Sequence, residues 1–262
     1  MADWGSHLST MRSTAPLVLN ITNFVAMNVM ANVLLATGAS PAMAHAEEEI
    51  AEITALSDAL TINFGTADAG WMRGIFRAVE TARGQGIPWV LDPVAVGVST
   101  LRKQTAARLI EMGPAVIRGN ASEILVLAGQ GAGGKGVDAT DGVTEAAAAA
   151  RALASRTGAV VAVTGAVDYV TDGCRAFSVA NGHPLMPRVT ALGCSLTGVV
   201  GAFLVGQPTL EAATAALACY GVAGERAGKC ASGPGSFAVD FLDALAALTP
   251  DELSQMARVT PA

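Results

Sequence analysis

The feature that most constrains this chain is a repeated alternation. Short β-branched and apolar runs close on a polar residue, and each is followed by a helical pattern. L-V-L-N-I-T (17–22) leads into an apolar helical segment over 24–36, which Gly38 terminates. A-L-T-I-N-F-G (59–65) precedes a helical run that ends at G-Q-G (84–86). I-P-W-V-L-D-P (87–93) reads as a strand that stops at Asp92-Pro93, because proline disfavours helix in the residue before it. A helix over 101–112 and the strand A-V-I-R-G-N (115–120) follow, then N-A-S-E-I. The Ala-rich helix 144–155 leads to the strand A-V-V-A-V-T-G (159–165). Such alternation predicts a parallel sheet joined by right-handed crossovers. Short strands at 168–171 and 175–179 meet at Asp172-Gly173, a hairpin signal. From Cys194 onward the pattern is mostly helical. No linker, repeat or low-complexity tract divides the chain. The expected architecture is α/β: one doubly wound, mostly parallel sheet flanked by helices, a single domain over 1–262 whose first ~14 residues are flexible.

Composition agrees with burial of that sheet on both faces. The chain has 262 residues, 52% hydrophobic and only 15% charged. No run approaches the ~18 uninterrupted apolar residues of a membrane span. The start M-A-D-W-G-S-H lacks a basic flank followed by an apolar region, so a cytoplasmic location is expected. There Cys174, Cys194, Cys219 and Cys230 would be free thiols. A net charge of −6 argues against nucleic acid as a partner. His7, His45 and His183 have no zinc spacing, which leaves a metal held by carboxylates open.

Ligands of open α/β sheets collect where strands end and helices begin. Asn20, Asn63, Asp92, Arg118, Asn120, Glu123, Thr164 and Cys194 all fall at or just after such ends. The more conspicuous G-Q-G-A-G-G-K-G (129–136) fits G-x-x-x-x-G-K, but Gly136 stands where a phosphate loop needs Ser or Thr for magnesium. No helix opens directly after it, so it reads as a loop. T-A-L-G-C-S-L-T-G (190–198) is better placed. Gly193 permits a tight turn, and the next helix exposes its first amides toward developing phosphoryl charge. The helix dipole predicts a lowered pKa for Cys194; the alternative is a small cysteine packing the first turn. In V-I-R-G-N-A-S-E-I (116–124), Arg118 is a phosphate clamp and Asn120 a helix cap. Glu123 either closes a capping box or orients water on Mg²⁺, and Asp92 is a second candidate for that water shell.

L-N-I-T-N-F-V, L-L-A-T-G-A-S-P-A-M-A, L-D-P-V, V-I-R-G-N-A-S-E-I, V-T-G-A-V-D, G-C-S-L-T and G-P-G-S-F occur in this order. Together they resemble the hydroxyethylthiazole kinase family of the ribokinase-like superfamily, over about residues 15–245. The resemblance implies ATP- and Mg²⁺-dependent phosphorylation of the hydroxyl of 4-methyl-5-(2-hydroxyethyl)thiazole, in thiamine synthesis and salvage. It implies a homotrimer with sites between subunits. It places Arg118 and Thr164 at the nucleotide phosphates, with Leu192 and Gly193 beside them. Glu123 and Asp92 serve magnesium through water. Met43, Asn20, Asn63 and Ala191 fall at the thiazole pocket, and Cys194 is the catalytic residue. K-G-V-D-A (135–139) matches the family's glycine-valine-aspartate loop. Two departures stand out: the usual T-G-x-G-C reads Thr190-Ala191-Leu192-Gly193-Cys194, and the usual V-H-N-I-T-N has Leu19 for histidine. Alternatives are a ribokinase-like kinase of another small alcohol, and a metabolite-binding homologue without turnover.

Overall fold

A computed structural model describes residues 3–66, 68–130 and 141–262. In chain order the elements are α1 (Trp4–Thr14), β1 (Leu17–Ile21), α2 (Met27–Thr37), β2 (Ser40–Met43), α3 (Ile50–Leu56) and β3 (Ala59–Asn63). Next come α4 (Ala69–Gln85), β4 (Trp89–Asp92), α5 (Thr100–Glu111), β5 (Val116–Asn120), α6 (Ala121–Leu127) and α7 (Asp141–Thr157). After β6 (Val160–Thr164), β7 (Asp168–Thr171) and β8 (Ala176–Val179) come α8 (Leu192–Leu204), α9 (Thr209–Cys230), α10 (Pro234–Ala247), α11 (Pro250–Met256) and β9 (Val259–Pro261).

The strands form one sheet in the order β2-β1-β3-β4-β5-β6-β7-β8-β9. The first six run parallel, and β7, β8 and β9 join them antiparallel. Residues on successive strand positions point to opposite faces. Val18, Val90 and Val116 therefore enter the core beneath α1, α2, α8, α9 and α10, whereas Leu19, Leu60 and Leu91 enter the one beneath α3, α4 and α5. Ile117 and Val161 pack under α6 and α7. This is the doubly wound arrangement that the alternation predicts.

Two features depart from the sequence expectation. Residues 4–14 form a packed helix where the sequence predicts a loose segment: α1 buries Trp4, Leu8 and Met11, whose spacing makes one helical face. Ser254 Oγ accepts the Gly5 N–H at 3.0 Å and ties this helix to α11. The sheet also gains β2, drawn from S-P-A-M, as an edge strand where a proline without an N–H is tolerated. Of the glycine-rich loop 129–136, residues 131–136 lie outside the described residues, as does the 135–139 stretch.

Helix α8 sets the position of the site. It is apolar around its circumference and lies on the sheet at close range. A Cβ at Gly201 would stand 2.8 Å from the Thr61 methyl, and one at Gly198 would stand 3.3 Å from Asn20 Oδ1. The missing side chains let the helix approach β1 and β3 and bring its N-terminus over their carboxyl ends.

Candidate active site

The chain enters α8 through Ala191, which has φ of 66° and ψ of −2°. A left-handed conformation costs an alanine about 1–2 kcal/mol, and glycine nothing. The resembled pattern carries glycine at this place, so the added methyl is held in a strained turn. Ala191→Gly is expected to raise stability by about 0.5–1 kcal/mol, after allowing for glycine's greater freedom in the unfolded chain. Chemical denaturation of the two proteins measures it.

Three turns of chain meet at the Cys194 sulfur. Asn23, in the loop after β1, donates from Nδ2 to Cys194 Sγ at 3.4 Å and to Asn63 Oδ1 at 3.0 Å. Its own Oδ1 accepts the Ala26 N–H, which fixes the amide. Asn63, the last residue of β3, donates to Sγ at 3.3 Å and to Asp92 Oδ2 at 2.9 Å. Asp92 ends β4 and is buried; Thr197 Oγ1 donates to the same carboxylate oxygen at 2.9 Å. Sulfur therefore faces two amide donors, and its thiol hydrogen is left to point elsewhere. The helix dipole does not rule this thiol. Burial, followed by the neighbouring Asp92 charge, pushes Cys194 above its ordinary pKa, against the opposing amides and Arg118. The expectation of a lowered value is thus corrected: loss of solvation outweighs one helix end.

Arg118 links this cluster to a cavity. It projects from the middle of β5, with Nη1 3.5 Å from Asp92 Oδ2 and Nη2 donating to Thr164 Oγ1 at 2.9 Å. The guanidinium lies across the first turn of α8, since a Cβ at Gly193 would stand 3.6 Å from Nη2. Its buried Nε has no partner among the described residues. An unpaired buried donor of this kind suits an anionic ligand.

Asn120 and Glu123 close a capping box on α6: Asn120 Oδ1 accepts the Glu123 N–H at 3.0 Å, and Glu123 Oε2 accepts the Asn120 N–H at 2.9 Å. Glu123 Oε1 also accepts the Ala95 N–H at 2.8 Å, joining α6 to the loop after β4. Burial raises the Glu123 pKa, and the Asp92 charge adds to the effect. Burial raises Asp92 too, against Arg118 and its hydrogen-bond donors. Among the described residues no three acidic, histidine or cysteine side chains group as a metal site. Two carboxylates held above their usual range near one rim fit a cation that keeps most of its waters, as magnesium does.

A cavity of about 690 Å³ opens beside Arg118, within the range of small-ligand sites. Arg118, Thr164, Asp168 and Gly193 give its lining polar groups, and Met186, Leu196, Leu217 and Tyr220 give it apolar surface. Tyr220 donates its hydroxyl to the Leu192 carbonyl at 2.8 Å and pins the first turn of α8 to α9.

Of the residues singled out from the sequence, the structure places Arg118, Thr164, Leu192 and Gly193 around this cavity. Cys194, Asn63 and Asp92 form the adjacent cluster, with Glu123 next to them. Asn20 is buried inside the sheet: its amide donates to the Val18 and Ala42 carbonyls and accepts from Thr61 Oγ1. Met43 is half-buried at the end of β2, in register with Asn20. Asn23 and Thr197 escaped the sequence reading. Both stand in the quoted motifs, yet nothing local reveals that Asn23 points at a sulfur 171 residues away.

The hydroxyethylthiazole kinase family model matches residues 8–251. The chain is 61% identical to a hydroxyethylthiazole kinase of Cereibacter sphaeroides over 258 residues, which is 98% of each protein. It is 56% identical to that of Rhizobium rhizogenes over 257 residues, 97% of this chain and 96% of the relative. A solved hydroxyethylthiazole kinase protein of Pyrococcus horikoshii superposes with a TM-score of 0.93 at 43% identity, covering all of both chains. A Staphylococcus aureus pyridoxal kinase in complex with AMP-PCP and pyridoxal has a TM-score of 0.61 at 17% identity, over 80% of this chain and 88% of that one, a likeness of fold alone. By sequence along nearly its whole length, and by fold, this chain belongs to the hydroxyethylthiazole kinase family.

Proposed function

We propose that the chain transfers the γ-phosphoryl group of ATP to the primary hydroxyl of 4-methyl-5-(2-hydroxyethyl)thiazole, a step in thiamine synthesis and salvage. The observation that carries this reading is the continuity of the site. Arg118 lines the cavity, reaches Asp92, and lies on the turn that holds Cys194. ATP would occupy the cavity with its phosphates toward Arg118, Thr164 and the first amides of α8. The alcohol would stand on the Cys194 side, near Asn63, Ala191 and Met43.

Phosphoryl transfer with a loose transition state needs alignment and charge neutralisation more than early removal of the alcohol proton. The new oxygen–phosphorus bond forms as the bond between the γ-phosphorus and the β–γ bridging oxygen breaks, and ADP leaves. Arg118 and the amides at 192–194 oppose the charge that develops. The neutral Cys194 thiol, with its sulfur held by Asn23 and Asn63, directs its hydrogen at the alcohol oxygen and fixes the angle of attack. The alcohol proton passes late to an oxygen of the transferred group. Glu123 and Asp92 would hold magnesium through water, and the bound ion would supply neutralisation of the β- and γ-phosphates. A coupled ADP-release assay with the thiazole alcohol, with and without Mg²⁺, tests the assignment. Alcohol- and Mg²⁺-dependent release is expected; its absence overturns the reading.

Asp168 adds a pH dependence. Its Oδ1 accepts the Gly165 N–H at 2.9 Å on the cavity wall. Burial pushes its carboxyl up to about 7, against that N–H and the Arg118 charge. Below this pH the group is neutral; above it, a negative charge faces the phosphates. The KM for ATP is therefore expected to rise as pH climbs through about 7. Asp168→Asn should flatten that rise while the nucleotide's own ionisation is unchanged, as initial rates of the two proteins across the neutral range will show.

A homotrimer with sites between subunits fits the exposure on this side of the sheet. Phe24 and Val25, which follow Asn23, are 65% and 59% exposed, and β2 leaves one edge open beside Met43. A second subunit set against them would cover the alcohol side. Equilibrium sedimentation is expected to give three chains per particle.

A further inference from the structure

We propose that the apolar lining of the cavity accepts nucleoside triphosphates with little regard to the base, so that guanosine, cytidine and uridine triphosphates serve as phosphoryl donors beside ATP. The inference rests on the nucleotide reading of the cavity given above.

Bases are told apart by hydrogen bonds to their edges, and the N–H donors along this wall are largely committed. The carbonyls of Gly182, Pro184 and Pro187, which accept no hydrogen bond among the described residues, can take one from the N–H or amino group that each of the four bases carries. The segment G-H-P-L-M-P-R-V (182–189) supplies much of the wall. Pro184 and Pro187 have no N–H. The Gly182 N–H donates to Glu225 Oε1 at 3.0 Å, and that of Leu185 to His183 Nδ1 at 3.3 Å. Those of Met186, Arg188 and Val189 go to the carbonyls of His183, Leu185 and Met186. Asn181 is committed at both ends: Nδ2 donates to Glu225 Oε1 and the Met256 carbonyl, while Oδ1 accepts the Arg258 N–H. The Tyr220 hydroxyl is spent on Leu192. The His183 ring stacks on Phe237 with centroids 5.7 Å apart, and it packs so closely on Gly228 that a Cβ there would stand 2.3 Å from the ring. Among the described residues, what remains for a base is those carbonyls and the apolar surface of Met186, Leu196 and Leu217 with the face of Tyr220. Such surface holds any planar base, and methionine adapts to its outline. Arg118, Thr164 and Gly193 meanwhile grip the phosphates that all four donors share.

A site that hydrogen-bonds its ligand rejects an analogue lacking the group by about 10⁴–10⁵-fold, whereas an apolar pocket separates similar ligands by about 10–200-fold. The test is initial-rate kinetics of thiazole-alcohol phosphorylation with each of the four triphosphates in turn, with the product measured directly. The expected kcat/KM values lie within about thirtyfold of one another, at the low end of apolar discrimination. A lead for ATP larger than that overturns the proposal. Met186→Ala supplies a second arm: it should raise the four nucleotide KM values by a common factor, and a rise confined to ATP would contradict a shared apolar contact. Transfer from none of the four, ATP included, would instead remove the nucleotide assignment itself.

Discussion

Arg118→Met is expected to lower kcat by about 10²–10³-fold and to raise the KM for ATP. The magnitude is that of removing one preorganised donor from a site where charge develops. Arg118 does two things at once: it faces the cavity where the phosphates would lie, and it is the cation nearest the buried Asp92. Without it Asp92 loses its counter-charge, which strengthens the burial effect that already raises its pKa. The carboxyl would then take up a proton more readily and serve a magnesium water shell less well. Arg118→Lys should recover only part of the rate, because one ammonium cannot match a planar fork that reaches Asp92 with one nitrogen and Thr164 with the other. Steady-state kinetics of the two variants, with thermal melting to establish folding, measures the effect. A rate within tenfold of the parent in Arg118→Met would take the guanidinium out of the reaction.

Cys194→Ala is expected to lower kcat by about 10²-fold, the scale of a misplaced reacting group, and to leave the KM for ATP almost unchanged. The split follows from position: Cys194 belongs to the Asn23–Asn63–Asp92 cluster and not to the cavity wall. The account also fixes how the loss behaves with pH. The thiol is held above its ordinary pKa by burial and by Asp92, so it stays protonated across the neutral range. A thiolate acting as general base would make kcat climb about tenfold per pH unit there. An orienting thiol imposes no such slope. An unchanged kcat in the alanine variant would contradict the role, and a slope that disappears with the sulfur would make Cys194 the base.

The strands that carry the site were legible because each is a β-branched run ending in a polar residue: Asn63 in A-L-T-I-N, Asp92 in W-V-L-D, Thr164 in V-V-A-V-T. Sequence periodicity also found α4, α5 and α7. It missed β2 because S-P-A-M has neither β-branching nor alternation; its strand form comes from pairing with β1. It missed α1 because only Trp4, Leu8 and Met11 mark its apolar face among polar residues. At the site, the choice between cap and metal ligand for Glu123 was open from N-A-S-E alone. The structure adds the capping box and a third bond, from the Ala95 N–H, that no local rule contains. The amide pair at the sulfur was illegible for a related reason. Asn23 and Asn63 converge on Cys194 only because Gly198 and Gly201 let α8 settle onto the sheet. The thiol's acidity was misjudged from the helix end because the sequence does not show how much water the fold removes.

The most direct measurement is a crystal structure with a non-hydrolysable ATP analogue, Mg²⁺ and the thiazole alcohol bound together. The account predicts the terminal phosphorus beside the Gly193 amide and Arg118. It places the alcohol oxygen about 3–3.5 Å from that phosphorus, in line with the bridging oxygen and within reach of Cys194 Sγ. A terminal phosphate seated away from the first turn of α8, or an alcohol bound out of reach of the sulfur, would contradict it.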